Sequence, residues 1–163
     1  MRATLPRLAA WLAGAWAGLI GAIGFVAAPL LFASLPRAEA GGVAARLFAV
    51  DATIGICAGA LLLLLTFQCA RRAADEAGAS RFSSDMLLVL AALFAIVAGH
   101  YALQPMIEAA RRGAAGPSFA MLHGVASAFF LAKFVAVAIL AWRLTRAPRA
   151  AAGDVATAAA PTS

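Results

Sequence analysis

Four long stretches almost free of charge divide this chain. Arg7 and Arg37 bracket 29 residues with no charge; Arg46 and Arg71 bracket 24, interrupted only by Asp51. Asp85 and Glu108 bracket 22 without a formal charge; Arg112 and Arg143 bracket 30, interrupted only by Lys133. A helix rises 1.5 Å per residue, so about 20 apolar residues cross the hydrocarbon core of a bilayer, and every stretch is long enough. A chain of 163 residues that is 64% hydrophobic and 12% charged has too little polar surface to face water on all sides. Lipid cannot satisfy backbone N–H and C=O groups, so a spanning segment is a helix or a strand of a closed barrel. Barrel strands alternate apolar and polar residues. The run of five leucines at 61–65 does not alternate.

The fold class expected is therefore all-α: a polytopic membrane protein, a four-transmembrane-helix bundle running up-down-up-down. The expected spans are 8–31, 42–70, 85–104 and 119–142, in one domain over residues 1–146. Pro36 ends the first span and Gly41-Gly42 opens the second. Pro105 closes the third, because proline disfavours helical geometry in the residue before it. Gly113 and Gly116-Pro117 mark the last loop. Residues 147–163 are Ala, Thr, Pro and Gly with few charges, have no periodic apolar face, and are expected to form a disordered cytoplasmic tail. The first apolar run follows Arg2 and Arg7 as a signal peptide would, but it is nearly twice the length of a signal h-region. It is expected to be a retained helix.

The net charge of +6 comes from twelve Arg and one Lys against seven acids. These charges form short clusters between apolar runs rather than a basic patch, so nucleic acid is not an expected partner; the lipid bilayer is. Eight Arg (2, 7, 71, 72, 81, 143, 146, 149) fall on one side and four (37, 46, 111, 112) on the other. The bias places both termini in the cytoplasm of a multi-pass protein of the cytoplasmic membrane. Heavy Ala and Arg usage fits a GC-rich bacterial genome.

Cys57 and Cys69 lie twelve residues apart on one helix, about 18 Å, too far to pair there. They read as small packing residues, and neither a metal site nor a cofactor is expected. Gly14 and Gly18 form a small-xxx-small pair. It reads as packing within the bundle or as the seam of a homo-oligomer.

Ionisable groups inside spans are costly in hydrocarbon and therefore informative. Asp51 shares a helical face with Gly55, Ala58 and Leu62. His100 and Gln104 share a face near the end of the third span, and His123 and Ser127 one near the start of the fourth. The expected orientation puts these groups in the outer half of the bilayer. They define a candidate polar cluster of Asp51, His100, His123, Ser127 and Gln104, in which the two imidazoles face the interior and Asp51 sits at the edge. Lys133 lies deeper, about 80° around the fourth helix from His123. It either snorkels towards the cytoplasmic end or pairs within the bundle. No nucleotide loop, nucleophile elbow or zinc-protease helix motif is present, so no catalytic residue is assigned and enzymatic activity is not expected.

The ordered motifs carry a resemblance. They are Ala28-Pro29 with Phe32, Leu35-Pro36, Leu47-Phe48, Pro105 after the third span, then Phe119, Leu122-His123 and Ser127. Over roughly residues 8–144 this order resembles the transmembrane protein 205-like family of small membrane proteins. The resemblance implies a four-helix membrane domain and no particular activity. Asp51, His100 and Lys133 do not map onto its pattern. The function expected is that of a non-enzymatic structural or accessory membrane component; the alternative is a small-molecule binding or transport module acting as an oligomer.

Overall fold

The computed structural model describes residues 4–77 and 82–158. Its four helical rods are α1 (Thr4–Ser34), α2 (Arg37–Ala77), α3 (Ser84–Arg111) and α4 (Phe119–Ala158). Each contains a segment long and apolar enough to cross a membrane. The rods pack in a ring: α1 and α3 each lie against both α2 and α4.

The first turn is two residues long. Leu35 is extended (φ −124°, ψ 154°) and its N–H closes on the Leu31 carbonyl at 3.0 Å. Pro36 then offers its carbonyl to the Ala40 N–H at 2.9 Å. The chain is helical again from Arg37, five residues before the expected start. Glu39, an acid in the first turn, suits the positive end of the helix dipole. Ser83 caps α3 by accepting from the Met86 N–H, and Ser118 caps α4 by accepting from the Met121 N–H, both at 3.3 Å.

Prolines act differently from the expectation. Pro105 does not close the third span, because α3 continues to Arg111. Its end is set instead by Gly113 at φ 80°, with Gly113 N–H on the Ala110 carbonyl and Ala114 N–H on the Ala109 carbonyl. That paired closure needs a left-handed residue, and glycine supplies it. Pro105 leaves its mark upstream, where Val97–Ala102 is π-helical. Pro29 has the same relation to the π-helical segment Ala22–Ala27 of α1. A proline inside a helix has no N–H for the carbonyl four residues back and its ring crowds that carbonyl. The carbonyls concerned belong to Phe25 and Tyr101, each inside a π segment, where the wider turn relieves the crowding.

The core is built on 4-3-4 spacing. Ala9, Ala13, Trp16 and Ile20 come from α1; Ala58, Leu62 and Leu65 from α2; Val89, Ala92 and Ile96 from α3; Val137, Leu140 and Leu144 from α4. Glycines set the closest approaches: the Trp16 indole lies over Gly55 and Gly59 of α2. Gly14 and Gly18 play no such part, since both are exposed and a Cβ on either would meet nothing within 4 Å. The expectation that this pair packs within the bundle is thus overturned. The inward glycines of α1 are Gly21 and Gly24, which face Phe134 and Phe130. Cys57 is exposed and Cys69 half-buried, both as free thiols.

At the far end of the bundle Arg143 of α4 reaches α3. Its guanidinium donates to Asp85 at 2.7 Å and to the Ser84 hydroxyl at 2.6 Å. The backbone of α4 stays helical to Ala158, past the expected span end at Trp142 and the expected start of the tail at 147. Alanine-rich sequence extends an existing helix readily because no new nucleus is needed. Residues 159–163 lie outside the described residues.

Candidate functional site

Two charged side chains are buried in the middle of the bundle. Asp51 of α2 is 1% exposed and Lys133 of α4 is 4% exposed. The Lys133 ammonium donates to Oδ2 of Asp51 and forms an ion pair with it. Each residue lies fourteen positions after the first residue of its helix, about 21 Å along the axis. In an up-down-up-down bundle α2 and α4 run parallel, so the two charges arrive at one level.

Their burial follows from register. Asp51, Gly55, Ala58, Leu62 and Leu65 continue one 4-3-4-3 stripe on α2, all of them buried. Lys133, Val137, Leu140 and Leu144 do the same on α4. Each charge therefore occupies an interior position that an apolar residue would otherwise fill. A lone charge there would be strongly disfavoured, and pairing makes the burial tolerable.

Aromatic rings and the two π segments surround the pair. The Lys133 ammonium lies 4.7 Å from the centroid of the Phe130 ring, a cation–π contact. Phe130 is itself edge-on to Phe48 of α2, with centroids 5.2 Å apart. Gly24, in the π segment of α1, gives Phe130 room: a Cβ there would come within 2.4 Å of the ring. Gly99, in the π segment of α3, does the same for Phe129, at 2.8 Å. Both widened turns thus abut the stretch of α4 that carries Lys133.

His100 also belongs to the π segment of α3. It is half-buried and edge-on to Tyr101, with centroids 5.1 Å apart. With Tyr101, Gln104, Pro105 and Glu108 it lines an open cleft of about 210 Å³. His100 and Gln104 both belong to that lining.

The rest of the expected cluster does not assemble. His123 is exposed, and no hydrogen bond joins it to His100 among the described residues. It stacks on Phe119 with centroids 5.6 Å apart, and the Arg111 guanidinium covers the Phe119 ring at 5.0 Å. Ser127 donates to the backbone carbonyl of His123 at 2.8 Å, within its own helix. Asp51 is not at the edge of a histidine cluster but at the centre of an ion pair. The reason is angular. Ten residues at 100° each leave His123 about 80° from Lys133. With Lys133 on the interior stripe, His123 turns outward. His123→Ala is accordingly expected to change stability by no more than about 0.5 kcal/mol, checked by thermal melting in detergent against Met121→Ala on the same helix.

Trp16 completes the site and was not among the residues expected. It is 2% exposed, and its indole nitrogen lies over Gly55, one turn from Asp51. The 9/13/16/20 spacing of α1 marks it as interior, which is the one sequence signal available for it.

These features define a class: a multi-pass membrane protein whose four-helix interior holds a buried acid–base pair. More particularly, the chain belongs to the family described as Domain of unknown function (DUF4149), whose model matches residues 11–115. The matched stretch contains Trp16, Asp51 and His100 and ends before α4, so Lys133 lies beyond it. No curated protein and no solved structure matches the chain.

Proposed function

We propose that this chain is a non-enzymatic structural or accessory component of the cytoplasmic membrane, with both termini on the cytoplasmic side. The observation that carries the reading is the mutual neutralisation of the two charges inside the four spans. A charge pair shared by α2 and α4 fixes their register, because a slip by one residue would leave two unpaired charges in an apolar interior. The eight-to-four distribution of Arg supports the orientation. The ordered motifs around Pro29, Phe48, Pro105 and Phe119 support a finer kinship with the transmembrane protein 205-like proteins. The outward face of Gly14 and Gly18 is where a second copy would approach, since small residues let backbones come close.

One observation favours a second reading, a small-molecule or ion transport module. The open cleft that His100 lines lies on α3, and the π segment that carries His100 packs on the stretch of α4 beside Lys133. Reconstitution into liposomes holding a pH-sensitive dye separates the readings. Under an imposed potential the wild-type protein is expected to conduct no more than protein-free vesicles. A flux that vanishes in the Asp51→Leu/Lys133→Leu double variant would overturn the structural reading in favour of transport.

A further inference from the structure

The open cleft on α3 is lined by four polar side chains, His100, Tyr101, Gln104 and Glu108, together with Pro105. They are not spaced as a metal site. His100 and Glu108 lie two helical turns apart, about 12 Å along the axis, whereas the ligands of one cation sit within about 2.6 Å of it. No group of three His, Cys, Asp or Glu side chains gathers anywhere among the described residues. The cleft instead suits an elongated guest that meets a different group at each turn.

Those groups come in a definite order along the helix. Glu108 stands nearest the end of α3 at Arg111 and is exposed. The neighbouring guanidinium does not take its carboxylate: Arg111 lies over the Phe119 ring, and no ion pair joins Glu108 to another of the described residues. One turn further in, Gln104 offers an amide N–H; a further turn in, Tyr101 and His100 offer an O–H and an N–H. Helical spacing carries the same face back from Tyr101 through Val97, Phe94, Leu90 and Leu87, all apolar and exposed. From the membrane surface inwards the face therefore presents an anion, then hydrogen-bond donors, then hydrocarbon.

We propose that the cleft binds the headgroup of one phospholipid bearing a primary ammonium, of the phosphatidylethanolamine type, with its acyl chains along Val97 and Phe94. The ammonium donates to the Glu108 carboxylate, Gln104 donates to a phosphate oxygen, and Tyr101 and His100 donate to the ester carbonyls beneath. Ammonium, phosphate and esters follow one another in such a lipid in that same order, over the two turns that separate Glu108 from His100. A headgroup without a cation would bring its phosphate towards Glu108 with nothing to offset the repulsion. A quaternary ammonium has no N–H to give, and the single ring of Tyr101 does not make an aromatic cage for it. This inference goes beyond the structural reading and requires only that α3 crosses the bilayer, so it stands whether or not the bundle transports.

The test is native mass spectrometry of the full chain, delipidated in detergent and titrated with one lipid at a time. The wild-type protein is expected to retain one phosphatidylethanolamine about fivefold more tightly than phosphatidylcholine or phosphatidylglycerol with the same acyl chains, the upper end of what one exposed ion pair supplies. Glu108→Gln is expected to abolish that preference and to melt as the wild type does, since the altered side chain is exposed. Glu39→Gln removes another exposed acid, in the first turn of α2 on the same side of the bundle, and is expected to keep the preference. Glycerophosphoethanolamine, the same headgroup without chains, is expected not to displace the lipid at equal concentration. Equal binding of the three lipids overturns the proposal, as does a preference that survives Glu108→Gln or is lost equally in Glu39→Gln. Displacement by the chain-free headgroup overturns a lipid as the guest.

Discussion

Lys133→Leu and Asp51→Leu are each expected to destabilise the solubilised protein by about 3–5 kcal/mol, while the double variant recovers most of that loss. The asymmetry comes from what each change leaves behind. A single substitution strands one charge at an interior position of the bundle, 1% exposed for Asp51 and 4% for Lys133. Removing one partner of a buried pair costs about that much because the survivor keeps its desolvation penalty and loses its compensation. The double variant removes both penalties and replaces the pair with apolar residues on stripes already built from Leu and Val. Such replacements are often neutral. The measurement is a double-mutant cycle by detergent or thermal unfolding. Additive single effects, with no coupling between the two positions, would show that the pair does not govern stability. Phe130 supplies an internal comparison: Phe130→Leu removes the cation–π contact, worth about 0.5–2 kcal/mol, while keeping the ion pair.

The second large effect concerns Trp16. Trp16→Ala is expected to cost about 3–5 kcal/mol, in the range seen when a buried aromatic is truncated in a core that cannot fully collapse. The glycines beneath it have no side chain with which to fill the gap, and Ile96 and Leu93 of α3 already press on Gly55 and Gly59 from the other side. Trp11→Ala, five residues away on the same helix at 79% exposure, is expected to be nearly neutral. Thermal melting of the two variants side by side decides the matter. Equal losses would mean that Trp16 does not key α1 onto α2.

The gross architecture was legible in the residues because the bilayer is a demanding solvent. Stretches of at least 22 residues with at most one charge inside, bounded by Arg, Asp or Glu, have few alternatives to spanning helices. The four rods appear where those stretches lie, although their ends run further: to Arg37 at the start of α2, and to Arg111 at the end of α3. Proline misled at that last boundary. Its effect on a helix depends on whether neighbouring turns can widen to accept it, and around Tyr101 they do.

The buried ion pair was half legible. The face of Asp51 with Gly55, Ala58 and Leu62 follows from helical spacing, and the same spacing from Leu144 back through Leu140 and Val137 leads to Lys133. What sequence periodicity does not contain is the rotation of one helix against another. That rotation decides that Lys133 rather than His123 faces Asp51, and it depends on interhelical packing: Phe130 against Gly24, Phe129 against Gly99, Trp16 against Gly55 and Gly59. A one-dimensional pattern determined that this chain crosses a membrane four times and carries one acid and one lysine inside. Only the packing of the four helices decided that those two charges meet, because a partner across the bundle is set by contacts between residues far apart in the chain.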